Sequence, residues 1–208
     1  MSDQTLDEDA INARHNAKMK VIQAARARMM AERQEERGLV IVNTGPGKGK
    51  STAAFGMAAR MIGHGRRVSV IQFIKGAMET GEKAVFDAFP DHIEFRPMGE
   101  GFTWDTQDRA RDIAVARVAW EAAKARLLDP EDWDMVICDE LNIVLRYEYL
   151  PLQEVLDVIA AKPLMKHFVI TGRNAPQELI EVADLVTEMT QVKHPFRSGV
   201  KAQAGVEF

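Results

Sequence analysis

Cysteine is nearly absent: Cys138 is the single one among 208 residues, so the chain can form no internal disulfide. It lies in the apolar run 135–138, where a thiol behaves as a small buried hydrophobe. Long hydrophobic runs are missing as well. The stretches 39–42 and 135–138 fall far short of the roughly 20 residues that cross a bilayer, so no membrane span is expected. The first residues include Asp3, Asp7, Glu8 and Asp9 and hold no apolar stretch ahead of a small-residue cleavage site, so the chain reads as cytoplasmic rather than secreted. An excess of positive charge is lacking too. The net charge of −4 argues against a general nucleic-acid binder, whose backbone contacts need a clustered positive surface. Neither internal repeats nor low-complexity tracts occur, which excludes solenoids and scaffold linkers. What is there, 46% hydrophobic and 28% charged, has the size and composition of one compact domain with a sizeable core.

The stretch 10–37 is rich in good helix formers, with Met19, Ile22, Ala25 and Met29 at helical spacing, and reads as an N-terminal helix. Residues 1–37 carry seven acidic and seven basic side chains, a balance that suits a solvated or packed helix face better than a polyanion site. They form an N-terminal helical extension, expected to pack on a partner subunit, ahead of a main domain over 38–208. After Gly38 the period changes. The runs 39–42, 67–74, 93–96, 135–138, 167–171 and 185–189 are short and apolar, as strands covered on both faces would be. Helical patterns lie between most of them, over 50–62, 106–128, 152–161 and 176–183. In the second, Ile113, Ala116, Trp120, Ala123 and Leu127 form one apolar stripe that makes Trp120 a core residue; Asp105 or Thr106 can cap its start, and Pro130 follows its end. Strands alternating with helices predict an α/β fold, a mostly parallel sheet with helices on both faces, whose ligands bind at the carboxyl ends of the strands.

The first strand runs into Asn43, Thr44, Gly45, Pro46, Gly47, Lys48, Gly49, Lys50, Ser51 and Thr52, and then into the helical segment beginning at Ala53. Strand, glycine-rich loop and helix in that order are the context of a phosphate-binding P-loop. Glycines let backbone N–H groups converge on phosphate oxygens, the helix N-terminus adds its dipole, and Lys50 supplies a point charge. Ser51 places its hydroxyl on Mg²⁺. The strict pattern has glycine where this chain has Thr44, so this is a variant loop. A second acidic part is needed to hold the metal. Asp139 and Glu140 end the apolar run 135–138 and match a Walker B pattern; on a continuing strand they point to opposite faces, one contacting the metal directly or through water and the other supporting it.

Phosphate binding does not say which bond breaks. Phe102 and Trp104, two residues apart ahead of a helix, either wall an apolar pocket for a flat ligand or anchor their loop to the core. The segments Thr44-Gly-Pro-Gly-Lys-Gly-Lys-Ser-Thr-Ala-Ala-Phe-Gly, Val70-Ile-Gln-Phe-Ile-Lys-Gly, Gly101-Phe-Thr-Trp-Asp-Thr-Gln, Asp139-Glu-Leu-Asn, Thr171-Gly-Arg-Asn, Val192-Lys-His-Pro and Gly199-Val-Lys-Ala-Gln-Ala-Gly-Val-Glu-Phe together resemble the P-loop corrinoid adenosyltransferases of cobalamin biosynthesis and salvage. The resemblance spans about residues 10–208.

That resemblance implies a RecA-like P-loop NTPase fold, generally dimeric, with an N-terminal helix able to close over a site. It implies transfer of the 5′-deoxyadenosyl group from ATP to a Co(I) corrinoid such as cobalamin, cobinamide or cobyrinic acid a,c-diamide, with release of triphosphate. By motif, residues Gly45 to Ser51 hold the triphosphate, Ser51 and Glu140 help bind magnesium, and Phe102 and Trp104 wall off the lower face of the corrin. Arg60 and Arg173 stand where members have arginines associated with the active site. A Co(I) nucleophile needs no general base, so the protein supplies in-line placement of the ribose C5′ and charge stabilisation on the departing triphosphate by Lys48, Lys50, Ser51 and Mg²⁺. The aromatic wall would help Co(II) shed its axial ligand before an electron arrives from a flavodoxin-type reductant. Two rivals share the phosphate-binding residues: a phosphotransferase or ATPase acting at the γ-phosphate, and a nucleotide-dependent interaction module docking through the N-terminal helix. Neither accounts for the aromatic loop and the C-terminal segment.

Overall fold

In a computed structural model, described over residues 3–74, 80–99 and 108–206, the apolar runs become the strands of one sheet. The chain divides into two units, Met1–Glu36 and Arg37–Phe208. The first is a single helix, α1 (Asp3–Glu32), longer at its start and shorter at its end than the helix expected over 10–37. Met19 and Ile22 of its apolar series are half-buried, whereas Ala25 and Met29 are exposed.

The second unit contains β1 (Val40–Thr44), α2 (Lys50–Gly63), β2 (Val68–Gln72), α3 (Gly81–Phe86), β3 (Ile93–Pro97), α4 (Arg109–Leu128), β4 (Met135–Asp139), α5 (Leu141–Arg146), α6 (Leu152–Ala161), β5 (His167–Thr171), α7 (Gln177–Val182), β6 (Leu185–Glu188) and a 3₁₀ turn at Pro195–Ser198. The six strands run parallel in the order β3-β2-β4-β5-β1-β6. This is the RecA-like arrangement, with β5 standing between the loop strand β1 and the acidic strand β4.

Alternation sorts the strands' side chains onto two cores, as a sheet buried on both faces requires. Ile41, Val68, Val70, Met135, Ile137 and Val169 pack with Ala54, Phe55 and Ala58 of α2. On the other face Val42, Ile71, Val136, Cys138, Phe168 and Ile170 pack with Ala116, Trp120, Ala123 and Leu127 of α4, the expected stripe. Trp120 is fully buried, and burial pushes the Cys138 thiol well above its ordinary pKa, so it stays protonated. Helix α4 starts at Arg109, its cap being Asp108, whose carboxylate accepts from the Arg111 N–H at 3.1 Å. The sequence suggested Asp105 or Thr106 for this role; both lie outside the described residues. At the other end of α4, the buried Lys166 ammonium donates to the carbonyls of Arg126, Asp129 and Asp132, satisfying acceptors that a helix terminus leaves open.

Two ion pairs fasten the edges of this unit. Asp184 accepts from Arg37 at 2.5 Å and from the Val40 N–H at 2.8 Å, and the Arg37 hydrogen bond holds its carboxyl below the usual range against partial burial. Burial pushes Glu94 upward, but hydrogen bonds from Arg126 and Ser69 outweigh it and leave the carboxyl low. A lowered folded-state pKa means that the unfolded chain binds these protons more tightly. The stability they add is therefore complete above the ordinary carboxylate values, about 4, and is lost as the pH falls through the lower folded values. The thermal midpoint should stay level from pH 7 to about 5 and drop below that, with a shallower drop in Asp184→Asn. A midpoint in that variant that follows the parent's acid limb unchanged would remove Asp184 from the account.

Candidate functional site

The site is assembled at the carboxyl ends of β1, β2, β4 and β5, where the parallel sheet leaves backbone groups and loop residues facing outward. Thr44 is the last residue of β1, and its main chain pairs onward to Met189, whose N–H donates to the Thr44 carbonyl at 2.9 Å. Its hydroxyl accepts from the Ala175 N–H at 3.1 Å. A threonine can therefore stand where the strict motif has glycine, because the loop turns one residue later. Gly45 makes that turn with φ of 95°, and a side chain there would begin 2.5 Å from the Met189 carbonyl.

Lys50, at the first turn of α2, is buried, and its ammonium donates to the carbonyl of Gly45 at 2.9 Å and to that of Gly47. Burial lowers its pKa; Glu140 and Asp139 act the other way, and Arg173 and Lys48 add to the lowering. Lys48, Lys50, Asp139, Glu140 and Arg173 thus share one electrostatic neighbourhood. Pro46, Lys48, Gly49 and Thr52 are exposed, and Ser51 is half-buried at the start of α2. Arg60 is exposed in the last turn of the same helix, ten residues beyond Lys50, which at about 1.5 Å per residue puts it roughly 15 Å along the axis. The structure does not bring it to the loop within this chain. Phe102 and Trp104 lie outside the described residues.

The two acids differ more than strand alternation suggests. The expectation that Asp139 and Glu140 point to opposite faces assumed a continuing strand, but β4 ends at Asp139 and Glu140 turns with φ of 66° and ψ of 20°. That left-handed conformation is uncommon for a residue with a side chain and costs on the order of 1 kcal/mol or more unless its surroundings enforce it. Asp139 is fully buried, with one oxygen accepting from Gln72 Nε2 at 2.9 Å and the other from the Thr171 hydroxyl at 2.7 Å. Glu140 is less buried, and among the acids it acts most strongly on Lys50.

Gln72, Asn142 and Thr171 lie within the family-like segments, but only the structure gives them a role. Asn142 donates to the Gly172 carbonyl at 3.0 Å and steadies the turn that carries Arg173. The available signal was a polar residue closing an otherwise apolar strand, as Gln72 and Thr171 do. His194 caps the 3₁₀ turn, its Nδ1 accepting from the Phe196 N–H at 3.2 Å, while Lys193 and Lys201 are exposed.

A family model described as ATP:corrinoid adenosyltransferase BtuR/CobO/CobP matches residues 36–208. The chain belongs to that family. A corrinoid adenosyltransferase of Sinorhizobium sp. is 57% identical over 199 residues, 95% of this chain and 92% of its own length. That of Pseudomonas aeruginosa is 53% identical over 195 residues, 94% and 96% of the two chains, and that of Escherichia coli K12 is 48% identical over 179 residues, 86% and 90%. The adenosyltransferase match includes the phosphate loop, the acidic pair and the segment after β6. Among the described residues, no helix is long and apolar enough to cross a membrane.

Proposed function

We infer that this protein transfers the 5′-deoxyadenosyl group of ATP to the Co(I) centre of a corrinoid and releases triphosphate. The observation that carries the reading is the family match over residues 36–208, which includes every element of the phosphate loop and the acidic strand. The reacting cobalt belongs to the substrate and is itself the nucleophile, so the reaction needs no general base. The chain's part is to hold the triphosphate so that the ribose C5′ is presented in line, and to absorb the charge that builds on the departing group. Main-chain N–H groups of residues 48–51, with the Lys50 ammonium, serve both tasks, since Pro46 has no N–H and that of Gly47 is engaged by Met189; Lys48 and Arg173 add positive charge at the rim.

Magnesium fits the donor set. Mg²⁺ takes hard oxygen ligands, commonly one or two carboxylates together with substrate phosphates and water. The Ser51 hydroxyl and the Glu140 carboxylate would supply such donors, and the ion would neutralise phosphate charge there. Asp139, with both oxygens engaged by Gln72 and Thr171, would support Glu140 from behind and reach the metal only through water. Phe102 and Trp104 are assigned to the apolar wall beneath the corrin, a flavodoxin-type protein to supplying the electron, and Arg60 to ATP binding in a homodimer.

Product analysis tests the function. Protein, Mg-ATP and chemically reduced corrinoid, mixed without oxygen, should yield a light-sensitive cobalt–carbon product and an equal amount of triphosphate. ADP and phosphate without alkylated cobalt would instead identify an enzyme acting at the γ-phosphate.

A further inference from the structure

The carboxyl ends of the central strands carry a row of buried polar residues. Gln72 of β2 lies opposite Asp139 of β4, and Thr171 of β5 lies opposite Asn43 of β1. All four are buried, so each needs a hydrogen-bond partner to offset the loss of water. The partners join them into one chain. Gln72 donates to Asp139, the Thr171 hydroxyl donates to the other oxygen of Asp139, and the same hydroxyl accepts from the Glu140 N–H at 2.9 Å. Beyond Thr171, the Asn43 carbonyl accepts from the Gly172 N–H at 3.2 Å, and the Asn43 amide donates to the Lys50 carbonyl at 3.3 Å.

The Thr171 side chain touches both acids. A hydroxyl can donate once and accept as well, and here its proton goes to Asp139 while its lone pair takes the Glu140 amide. That amide belongs to the residue in the left-handed conformation, the strained point at which the chain leaves β4. We propose that Thr171 is a positioning residue for the metal-binding carboxylate: its hydroxyl holds Asp139 as a fixed buried acceptor and clamps the Glu140 backbone in its left-handed turn, so that the Glu140 side chain is aimed toward Lys50 and the magnesium of the bound nucleotide. Without the hydroxyl, Asp139 loses a donor, the Glu140 N–H loses its acceptor, and the backbone can relax out of the strained region, carrying the carboxylate away. This inference rests on the reading of Glu140 as the carboxylate that meets the metal.

Three substitutions test it: Thr171→Val, which keeps the shape and removes both hydrogen bonds; Thr171→Ser, which keeps the hydroxyl; and Thr171→Cys, which keeps the size with a much weaker donor and serves if the valine variant does not fold. Each is assayed for melting temperature, for ATP affinity in EDTA and in excess Mg²⁺, and for the Mg²⁺ concentration giving half-maximal adenosyl transfer. Removing a supporting hydrogen bond behind a metal ligand weakens metal binding by about 10- to 100-fold. Thr171→Val should raise the half-maximal Mg²⁺ concentration at least about tenfold and reduce ATP affinity only when Mg²⁺ is present. Thr171→Cys should move the same way, and Thr171→Ser should stay within about twofold of the parent. A folded Thr171→Val or Thr171→Cys protein with the parent's Mg²⁺ dependence overturns the proposal, as does a serine variant as impaired as the valine one. If Glu140→Gln leaves the Mg²⁺ dependence unchanged while Thr171→Val shifts it, the reading of Glu140 fails, and the aiming of Glu140 by Thr171 fails with it.

Discussion

Lys50→Ala should lower kcat/KM for adenosyl transfer by about 10²–10³ while leaving the protein folded. The ammonium is buried at the first turn of α2 and already donates to the carbonyls of Gly45 and Gly47, so it is held at the centre of the loop before any phosphate arrives. Binding a triphosphate lets it exchange those neutral carbonyls for charged oxygens, in a place where burial makes a charge pair worth more than in water. Burial lowers the Lys50 pKa although Glu140 and Asp139 oppose the shift, so the ammonium gains when the charge of a polyanion arrives beside it. Lys50→Arg should recover little, because a planar fork does not fit the space of a compact ammionium held between two carbonyls. Circular dichroism and the melting temperature check the fold, and steady-state kinetics with varied ATP check the loss. A kcat/KM within about twofold of the parent would remove Lys50 from the transition state.

Gly47→Ala should be nearly as damaging, for a steric reason. A methyl group there would start 2.6 Å from both the Met189 and the Thr190 carbonyl oxygens, which are backbone atoms with little freedom to retreat. The Gly47 N–H also donates to the Met189 carbonyl at 2.6 Å, so either the loop or the segment after β6 must shift and break that bond. Displacement of a phosphate loop by about 1 Å can cost about 10²-fold in rate, and ATP affinity should fall with it. Gly56→Ala provides the contrast. Gly56 lies within α2 with open space around its α-carbon, so alanine there should be neutral in activity and stabilising by roughly 0.5–1 kcal/mol. Equal effects at the two positions would show that the close approach to residues 189 and 190 does not constrain the loop.

Much of this architecture was legible in the chain itself. The short β-branched runs 135–138 and 167–171 read as strands buried on both faces, and the stripe from Ala116 to Leu127 reads as the inner side of a helix, and each is so in the fold. The helices α3 and α5, six residues each, show no helical period in the sequence, whereas the equally short α7 is marked by Pro176 ahead of it. The cap of α4 is Asp108 rather than Asp105 or Thr106, since all three offer a side-chain oxygen and only the local backbone selects among them.

The site divides in the same way. Glycines, Lys50 and Ser51 between a strand and a helix announce a phosphate cradle because the function resides in local backbone geometry, and the motif sets that geometry over eight residues. Family membership was likewise legible, through segments spread along the whole length. Tertiary structure alone decided which acid is buried and which faces Lys50, because that depends on Gln72 and Thr171 arriving from strands 67 and 32 residues away. It also separated Arg60 from the loop and tied Thr44 to Ala175. Covalent neighbours determine periodicity and turn chemistry; the partners of a buried polar group are chosen by the order in which strands are laid side by side, and no local stretch of sequence records that order.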